Sequence, residues 1–500
     1  MPRKQKIVII GSGLGGLSCG VLLAKRGFAV EVLEQAPQPG GCLQCFERKG
    51  ARFETGMHFV GGAGKGQTLW RLLHHLEIDR SVLLSQLDPE GYDVVSIQGK
   101  DYPIANGRQH FVAKLAARFP SAVPDLERYC DLVQSIAAAS PIHSLHMDKG
   151  DDALLTHYQL RAADEVIAET VGDPLLAAVL GGTLPLYAGE RGKTPFATHA
   201  FIMDSLSQGA YRITGGSDRV AKALIDTIEH YGGLVRLGCK VTRIICGEDG
   251  GAEDVEVNGE ERVAAACVIS DIHPQRTLDL VQSPRLRPAF RRRILSLPQT
   301  TGCFSVYLHF KEGRVPYLNH NVYSYDCPSP WDCETYTDDD WPRGFLYMHF
   351  CHAPQPRYAQ TGVVLARMDF REVEHWKGTS TGHRPADYLR FKEAKADRLL
   401  DSLERRYPGI RSDIAHWYTS TPLTYLDYTG TANGSMYGTA KDVGLGMARR
   451  IPCRTRVPRL LQTGQNVIMH GMFGVLIGSL VTCNELFPVS MLLEEISADK

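Results

Sequence analysis

Lys6-Ile7-Val8-Ile9-Ile10-Gly11-Ser12-Gly13-Leu14-Gly15-Gly16 opens the stretch that decides the fold, and the same unit runs on to Glu34. The β-branched run over 7–10 predicts a short strand, the glycines a turn, and the apolar residues 17–23 a helix that stops near Gly27. A second strand is predicted over 29–33, with Glu34 at its end. Strand, glycine turn, helix and strand in this order seat a dinucleotide across a helix N-terminus. Gly11 permits the tight turn, Gly13 lets the backbone approach a pyrophosphate, Gly16 lets the helix pack closely on the strand, and Glu34 stands where an acid takes ribose hydroxyls. Leu14, Gly15 and Gln35 fall in the same segment and are expected at the cofactor. The alternative, a glycine-rich turn with no ligand, does not call for the strand, helix and acid together.

The kind of dinucleotide is decided downstream. Pro39-Gly40-Gly41 follows the second strand, and Arg52-Phe53-Glu54-Thr55-Gly56-Met57-His58-Phe59-Val60-Gly61 comes soon after. Nicotinamide dehydrogenases have no need of a second glycine pair there, whereas an extended FAD runs past such a loop. Near the other end stand Thr463-Gly464-Gln465-Asn466 and His470-Gly471-Met472-Phe473-Gly474-Val475.

These blocks resemble the phytoene desaturase, carotenoid cis–trans isomerase and all-trans-retinol 13,14-reductase (retinol saturase) superfamily. Segments 211–245, 420–424 and 433–438 resemble it too, and the likeness is weakest over 80–200 and 311–400. The resemblance implies an α/β fold. A Rossmann-like FAD-binding domain of the glutathione-reductase/amine-oxidase type would be joined to an antiparallel-sheet plus helical substrate domain. It also implies that Gly40, Gly41, Cys42, Gly56, Met57 and His58 line the FAD, that the backbone at Val241 lies along its adenosine half, and that Gly464, Gln465, Gly471, Gly474 and Val475 bring a helix N-terminus to its flavin ring and pyrophosphate. Free N–H groups at such a terminus suit a negative charge.

Composition sets outer limits. A chain of 500 residues suggests roughly three domain-sized units. Lys and Arg number 55 against 56 Asp and Glu, so no global field recruits nucleic acid or an anionic surface. Arg3, Lys4 and Lys6 imitate the start of a secretory signal, but the apolar run behind them is only four residues long. No stretch approaches the roughly 20 apolar residues of a spanning helix. With thirteen scattered cysteines, the expectation is a reducing, cytoplasmic compartment and free thiols. Oligomeric state is not legible in these residues.

Two motifs near the glycine pair compete with the main reading. Cys42-Leu43-Gln44-Cys45 lies where flavin-dependent disulfide reductases place their redox cysteines, but the longer cysteine spacing and the second nucleotide fingerprint of those enzymes are missing. Two buried thiols are the plain alternative. A single pair does not support zinc, and no metal is expected. Gly61-Gly62-Ala63-Gly64-Lys65-Gly66 lacks the hydroxyl residue and the spacing of a phosphate loop.

From 68 to 200 the pattern reads as helical. Over 107–119, Phe111, Val112, Leu115 and Phe119 share a face opposite Arg108, Lys114 and Arg118. Such a helix either packs on its own core or lies on a membrane and admits a lipid substrate. The helix over 218–231 and strands over 234–237, 241–245 and 265–270 return to the cofactor. Arg285, Arg287 and Arg291 to Arg293 form a basic cluster that reads as a solvated face or a headgroup contact. From 301 to 440 short β-branched and aromatic segments (303–310, 321–326, 345–350 and 363–370) predict an antiparallel sheet. A concave aromatic wall could draw on Phe304, Tyr307, Tyr323, Tyr325, Tyr347, Tyr425 and Tyr428. The expected division is a discontinuous FAD domain (1–75, 201–298 and 455–500), a helical substrate region (76–200) and a sheet substrate domain (299–454).

The chemistry expected from this arrangement is hydride transfer at flavin N5 to or from a C=C bond of an apolar isoprenoid or polyene. The net outcome would be saturation, desaturation or isomerisation. His58 and His470 are the candidates for proton handling, since imidazole gives and takes protons near neutral pH. Glu54 is a candidate to orient the flavin edge. No H-E-x-x-H occurs. Other readings are an amine oxidase, the disulfide reductase using Cys42 and Cys45, and a flavoprotein that only binds. NAD(P)H from solution is a candidate external donor, although no second dinucleotide site is legible. Peripheral membrane contact would have to be local.

Overall fold

The strand Lys6–Ile10 pairs with a parallel neighbour on each side, Ala29–Leu33 and Cys267–Ser270. The sheet grows to five parallel strands in the order Leu234–Arg236, Ala29–Leu33, Lys6–Ile10, Cys267–Ser270, Leu460–Gln462. The computed structural model describes residues 5–146, 150–350, 356–446 and 450–498, so Arg3 and Lys4 of the imitated signal lie outside it. Parallel strands are covered on both faces, which is why Ile7, Val8 and Ile9 read as an unbroken apolar run.

The helices Leu14–Lys25, Asp218–His230 and Gly471–Cys483 pack together on one face of this sheet. On the other, Val8, Ile10 and Val268 meet the antiparallel meander Val241–Cys246, Ala252–Val257, Glu261–Ala264. The last two of those strands have no counterpart in the sequence reading.

The second sheet has seven strands, ordered Ile414–Ser420, Gly302–Phe310, Thr361–Met368, Gly344–Phe350, Asn321–Tyr325, Asp93–Ile97, Lys100–Ile104. All four strands expected over 303–370 are present and antiparallel to their neighbours among themselves. The helical reading of 68–200 needs correction. That stretch supplies the strand Leu84–Gln86 and the hairpin Asp93–Ile97/Lys100–Ile104, which joins the sheet by a parallel pairing with Asn321–Tyr325. The hairpin turns on Gln98 and Gly99, both at positive φ, the geometry of a tight two-residue β-turn.

Strand alternation also corrects the aromatic wall. Phe304, Val306 and Leu308 point with Tyr347 to the face covered by the helix Ala386–Arg406, while Tyr307 and Tyr323 are buried in the opposite core. Of the seven aromatics, Tyr325, Tyr425 and Tyr428 line the main cavity.

The helix Arg108–Ala116 buries Val112 and Leu115, with Phe119 just beyond it, against Leu126 and Tyr129. Its charges are engaged as well: Arg108 pairs with Glu127 and Asp131, and Lys114 with Glu90. No apolar face of this helix is left for a bilayer, and the membrane reading of 107–119 is withdrawn. In the basic cluster, Arg291 binds Asp279 and the Leu278 carbonyl, and Arg285 binds the Asp249 carbonyl. Among the described residues no helix is long and apolar enough to cross a membrane.

Candidate functional site

The two chain ends meet at the glycine turn. Gly11 takes φ +95°, open to glycine, and turns the chain from strand into helix. A Cβ at Gly15 would stand 2.8 Å from both N and Cα of Gly464, so the amino-terminal helix and the loop after Leu460–Gln462 touch backbone to backbone. The Ser479 hydroxyl donates to the Gly15 carbonyl at 3.2 Å, and the Cys19 thiol donates to the Thr463 hydroxyl at 3.6 Å.

Between these ends lies a cavity of about 490 Å³. One part of its wall is the expected cradle: Gly11, Gly13, Leu14 and Gly15, then Glu34 and Gln35, Gly40, Gly41 and Cys42, Gly56, Met57 and His58, Val241, and Gly464, Gln465, Gly471 and Val475. Glu34 is held by Ser12 N–H at 2.9 Å, Ser12 hydroxyl at 2.8 Å and Ala36 N–H at 2.8 Å. Gly16 and Gly474 stand behind the wall. A Cβ at Gly16 would meet the Gly11 carbonyl at 2.4 Å and one at Gly474 would meet Met469, so both serve close packing.

Asp271 was missed by the sequence reading, although it directly follows a predicted strand. Its carboxylate oxygens reach into the cradle, 2.5 Å from where a Cβ of Gly13 would be and 2.4 Å from one at Gly464. Burial pushes this carboxyl up to about 7, and its Oδ2 is among the buried side-chain atoms without a hydrogen-bond partner. Bare glycine backbone around an anionic oxygen at a helix N-terminus is the donor set a pyrophosphate needs. The residues present therefore fit a dinucleotide.

His58 and His470 part company. His58 lines the cavity; burial, then the Arg212 cation, pushes it down to about 3 and keeps the ring neutral. Its Nδ1 has no hydrogen-bond partner and faces Glu54 Oε2 at 3.8 Å. Glu54 is itself buried outside the cavity wall, and desolvation pushes its carboxyl up to about 8 despite Arg212. It backs His58 rather than a flavin edge. Arg212 donates to Asn321 at 2.7 Å and to the His58 carbonyl at 3.4 Å.

His470 faces away from the cavity. Its Nε2–H donates to the Leu186 carbonyl at 3.1 Å, and its ring stacks on Tyr437 at 4.2 Å. Tyr437 lines the cavity in its place. The proton-handling expectation for His470 is therefore corrected to one of support.

The cysteine pair gives no dithiol. Cys45 packs against the Ser217 hydroxyl, Cys42 lines the cavity, and burial pushes both thiols up to about 11, the opposite of redox-active thiols. Among the described residues no group of three or more His, Cys, Asp or Glu could hold a metal ion.

Another part of the wall differs in character. Residues 184–188, 344–346 and 365–367 contribute Leu184, Pro185, Leu186, Ala188, Phe345, Leu346, Leu365 and Ala366, with Arg367 as the only charge in these three segments; elsewhere Lys240, Arg276 and Asp279 also line the cavity. Tyr428, 60% exposed, also lines the cavity and carries it to the surface.

Comparison with known proteins agrees with this geometry. The family profile described as flavin containing amine oxidoreductase matches residues 14–376. The all-trans-retinol 13,14-reductase of Homo sapiens is 26% identical, over 96% of this chain and 85% of that protein. Prolycopene isomerase 1, chloroplastic, of an Oncidium hybrid cultivar is 22% identical over 89% and 76%. Among solved structures, an oxidoreductase from Methanosarcina mazei superposes with a TM-score of 0.63 at 17% identity, covering 95% of this chain and 99% of that one.

Proposed function

The chain belongs to the flavin containing amine oxidoreductases, and from that premise we propose that it holds FAD and acts on a C=C bond of an apolar isoprenoid or polyene. The observation that carries this reading is the cavity wall over 184–188, 344–346 and 365–367, which offers an apolar chain a dry surface and offers an ammonium only the like charge of Arg367. The names of the retinol reductase and prolycopene isomerase relatives support the same substrate class.

A bound flavin supplies hydride transfer at its N5. The protein's own residues do the rest. Backbone N–H groups around Gly13 and Gly464 receive the pyrophosphate, Glu34 takes ribose hydroxyls, and the apolar wall excludes water. Neutral His58 presents its ring to the cavity, and the protonated Glu54 carboxyl stands 3.8 Å behind Nδ1, so the pair keeps the proton that must accompany a hydride. NAD(P)H from solution is the external donor in this reading. The described residues within 1–75, 201–298 and 455–500 form the cofactor unit in this reading, and those within 76–200 and 299–454 the substrate unit, the hairpin Asp93–Ile97/Lys100–Ile104 joining the two substrate segments in one sheet.

Protein reduced with dithionite is mixed without air with all-trans-retinol or a carotenoid, oxidised protein is mixed with a diamine in air, and the products are separated by chromatography. The expected result is a saturated or isomerised polyene and untouched amine. Peroxide formed from the amine in air, with no polyene changed, assigns the protein to amine oxidation. Flavin that no candidate changes assigns it to binding.

A further inference from the structure

The loop between the strands Asn321–Tyr325 and Gly344–Phe350 brings two cysteines together away from the glycine cradle. Cys327 follows the first strand, Cys333 lies in the turn Pro330–Glu334, and their sulfur atoms are 3.5 Å apart. Cys333 lines the cavity. The surroundings hold the pair in place. The Cys327 thiol donates to the Ser329 carbonyl at 3.1 Å, and Arg343 donates to the carbonyls of Asp332 at 3.0 Å and Thr335 at 2.7 Å. Asp332 accepts from Arg191 at 2.6 Å.

A disulfide needs the sulfurs at about 2.05 Å, so closure asks for roughly 1.5 Å of approach, within reach of side-chain rotation in a loop. Cys42 and Cys45 have nothing comparable, since Cys45 is occupied with Ser217.

We propose that Cys327 and Cys333 are a reversible thiol–disulfide site in the cavity wall, oxidised by peroxide, whose closure reshapes the cavity. Cys327 thiolate attacks one peroxide oxygen; the O–O bond breaks, and the Cys327 sulfenic acid and one water result. The Cys333 thiol then attacks that sulfur and gives up its proton, the S–O bond breaks, the leaving oxygen departs as a second water and the S–S bond forms. Two thiol hydrogens and two electrons have passed to hydrogen peroxide. The order follows from the hydrogen bond between the sulfurs, which lowers the Cys327 thiol below its ordinary value and raises Cys333. Closure draws Cys333 toward Cys327 and away from the wall it now forms. The thiol chemistry does not depend on which substrate the cavity takes; the reshaping test rests on the polyene reading, and reduced protein that binds no cis-parinaric acid overturns that reading and not the disulfide.

The purified flavin-loaded protein is titrated with hydrogen peroxide, alkylated and digested without reductant. The expected result is one peptide cross-linked between Cys327 and Cys333, the loss of those two free thiols, and full recovery with dithiothreitol. Binding of the fluorescent polyene cis-parinaric acid changes several-fold on oxidation and returns on reduction. Cys327→Ser and Cys333→Ser each abolish both effects; where Cys333→Ser fails to fold, Cys327→Ser and the wild-type peptide map decide. Alkylated Cys327 and Cys333 after peroxide has consumed other thiols overturns the site. Unchanged cis-parinaric acid binding after complete cross-linking overturns the reshaping.

Discussion

His58 is the one titratable ring at the cavity wall whose free nitrogen faces another proton carrier. Its replacement should separate chemistry from binding. His58→Ala is expected to keep its flavin absorbance and to lose about 10²–10⁴-fold in turnover, the usual worth of a positioned proton donor or acceptor. Steady-state rates on whichever polyene proves to be the substrate check this, and unchanged turnover returns His58 to a structural role. Asp271 presents the opposite case, a carboxyl in the place suited to phosphate. Where it is ionised it opposes an anion, so flavin binding is expected to weaken as pH rises through about 7. Asp271→Asn removes that dependence and tightens binding above it by about tenfold, or about 1.4 kcal/mol. Fluorescence titration of apoprotein with FAD measures both. The glycines, Glu34 and His58 were legible because each sits in a local motif. Asp271 and Tyr437 were not, because their place at the cavity is set by chain that arrives from elsewhere.

At the scale of elements, the helix Arg108–Ala116 shows how one amphipathic pattern serves two readings. Periodicity gives the apolar face, and only the neighbours say what covers it. Leu115 is fully buried, so Leu115→Ala is expected to cost about 2–5 kcal/mol in a denaturant titration, where a membrane-facing leucine in solution would cost almost nothing. The contact between the helix Leu14–Lys25 and the Gly464 loop makes a second prediction. Gly15→Ala places a methyl 2.8 Å from the Gly464 backbone and must part the two elements, so protein purified with this substitution is expected to be colourless or much depleted in flavin by its visible absorbance. The strands over 303–370 were legible from composition and turns. The hairpin Asp93–Ile97/Lys100–Ile104 was not, since a five-residue strand between helical stretches gains its stability from the sheet it joins.

Across the whole molecule, buried carboxyls set how stability responds to pH. Glu54 holds its proton to about 8, and Asp93 and Asp271 to about 7, all above their ordinary values. Between those ordinary values and the raised ones the folded chain binds more protons than the unfolded chain. The carboxyl contribution to stability is therefore full below about pH 4 and is lost as pH rises through 7 to 8, by up to about 1.4 kcal/mol per pH unit for each such group, while the buried neutral rings of His58, His199, His273, His349 and His470 act in the opposite sense below about pH 6.5. Between about pH 6.5 and about pH 8 the melting temperature of Glu54→Gln apoprotein should fall less than that of the wild type; parallel profiles remove the buried-carboxyl account of Glu54. By itself, the sequence determined the strand–glycine–helix unit at its start, the cofactor-type glycines at both ends and the strands of the second sheet, because turns and periodicities act over a few neighbouring residues. Only the tertiary structure decided that Gly15 and Gly464 touch, that His58 faces the cavity while His470 faces Leu186, and which side of each strand meets the ligand space. Those outcomes depend on pairings hundreds of residues apart, where packing among already formed elements, and not local preference, selects the arrangement.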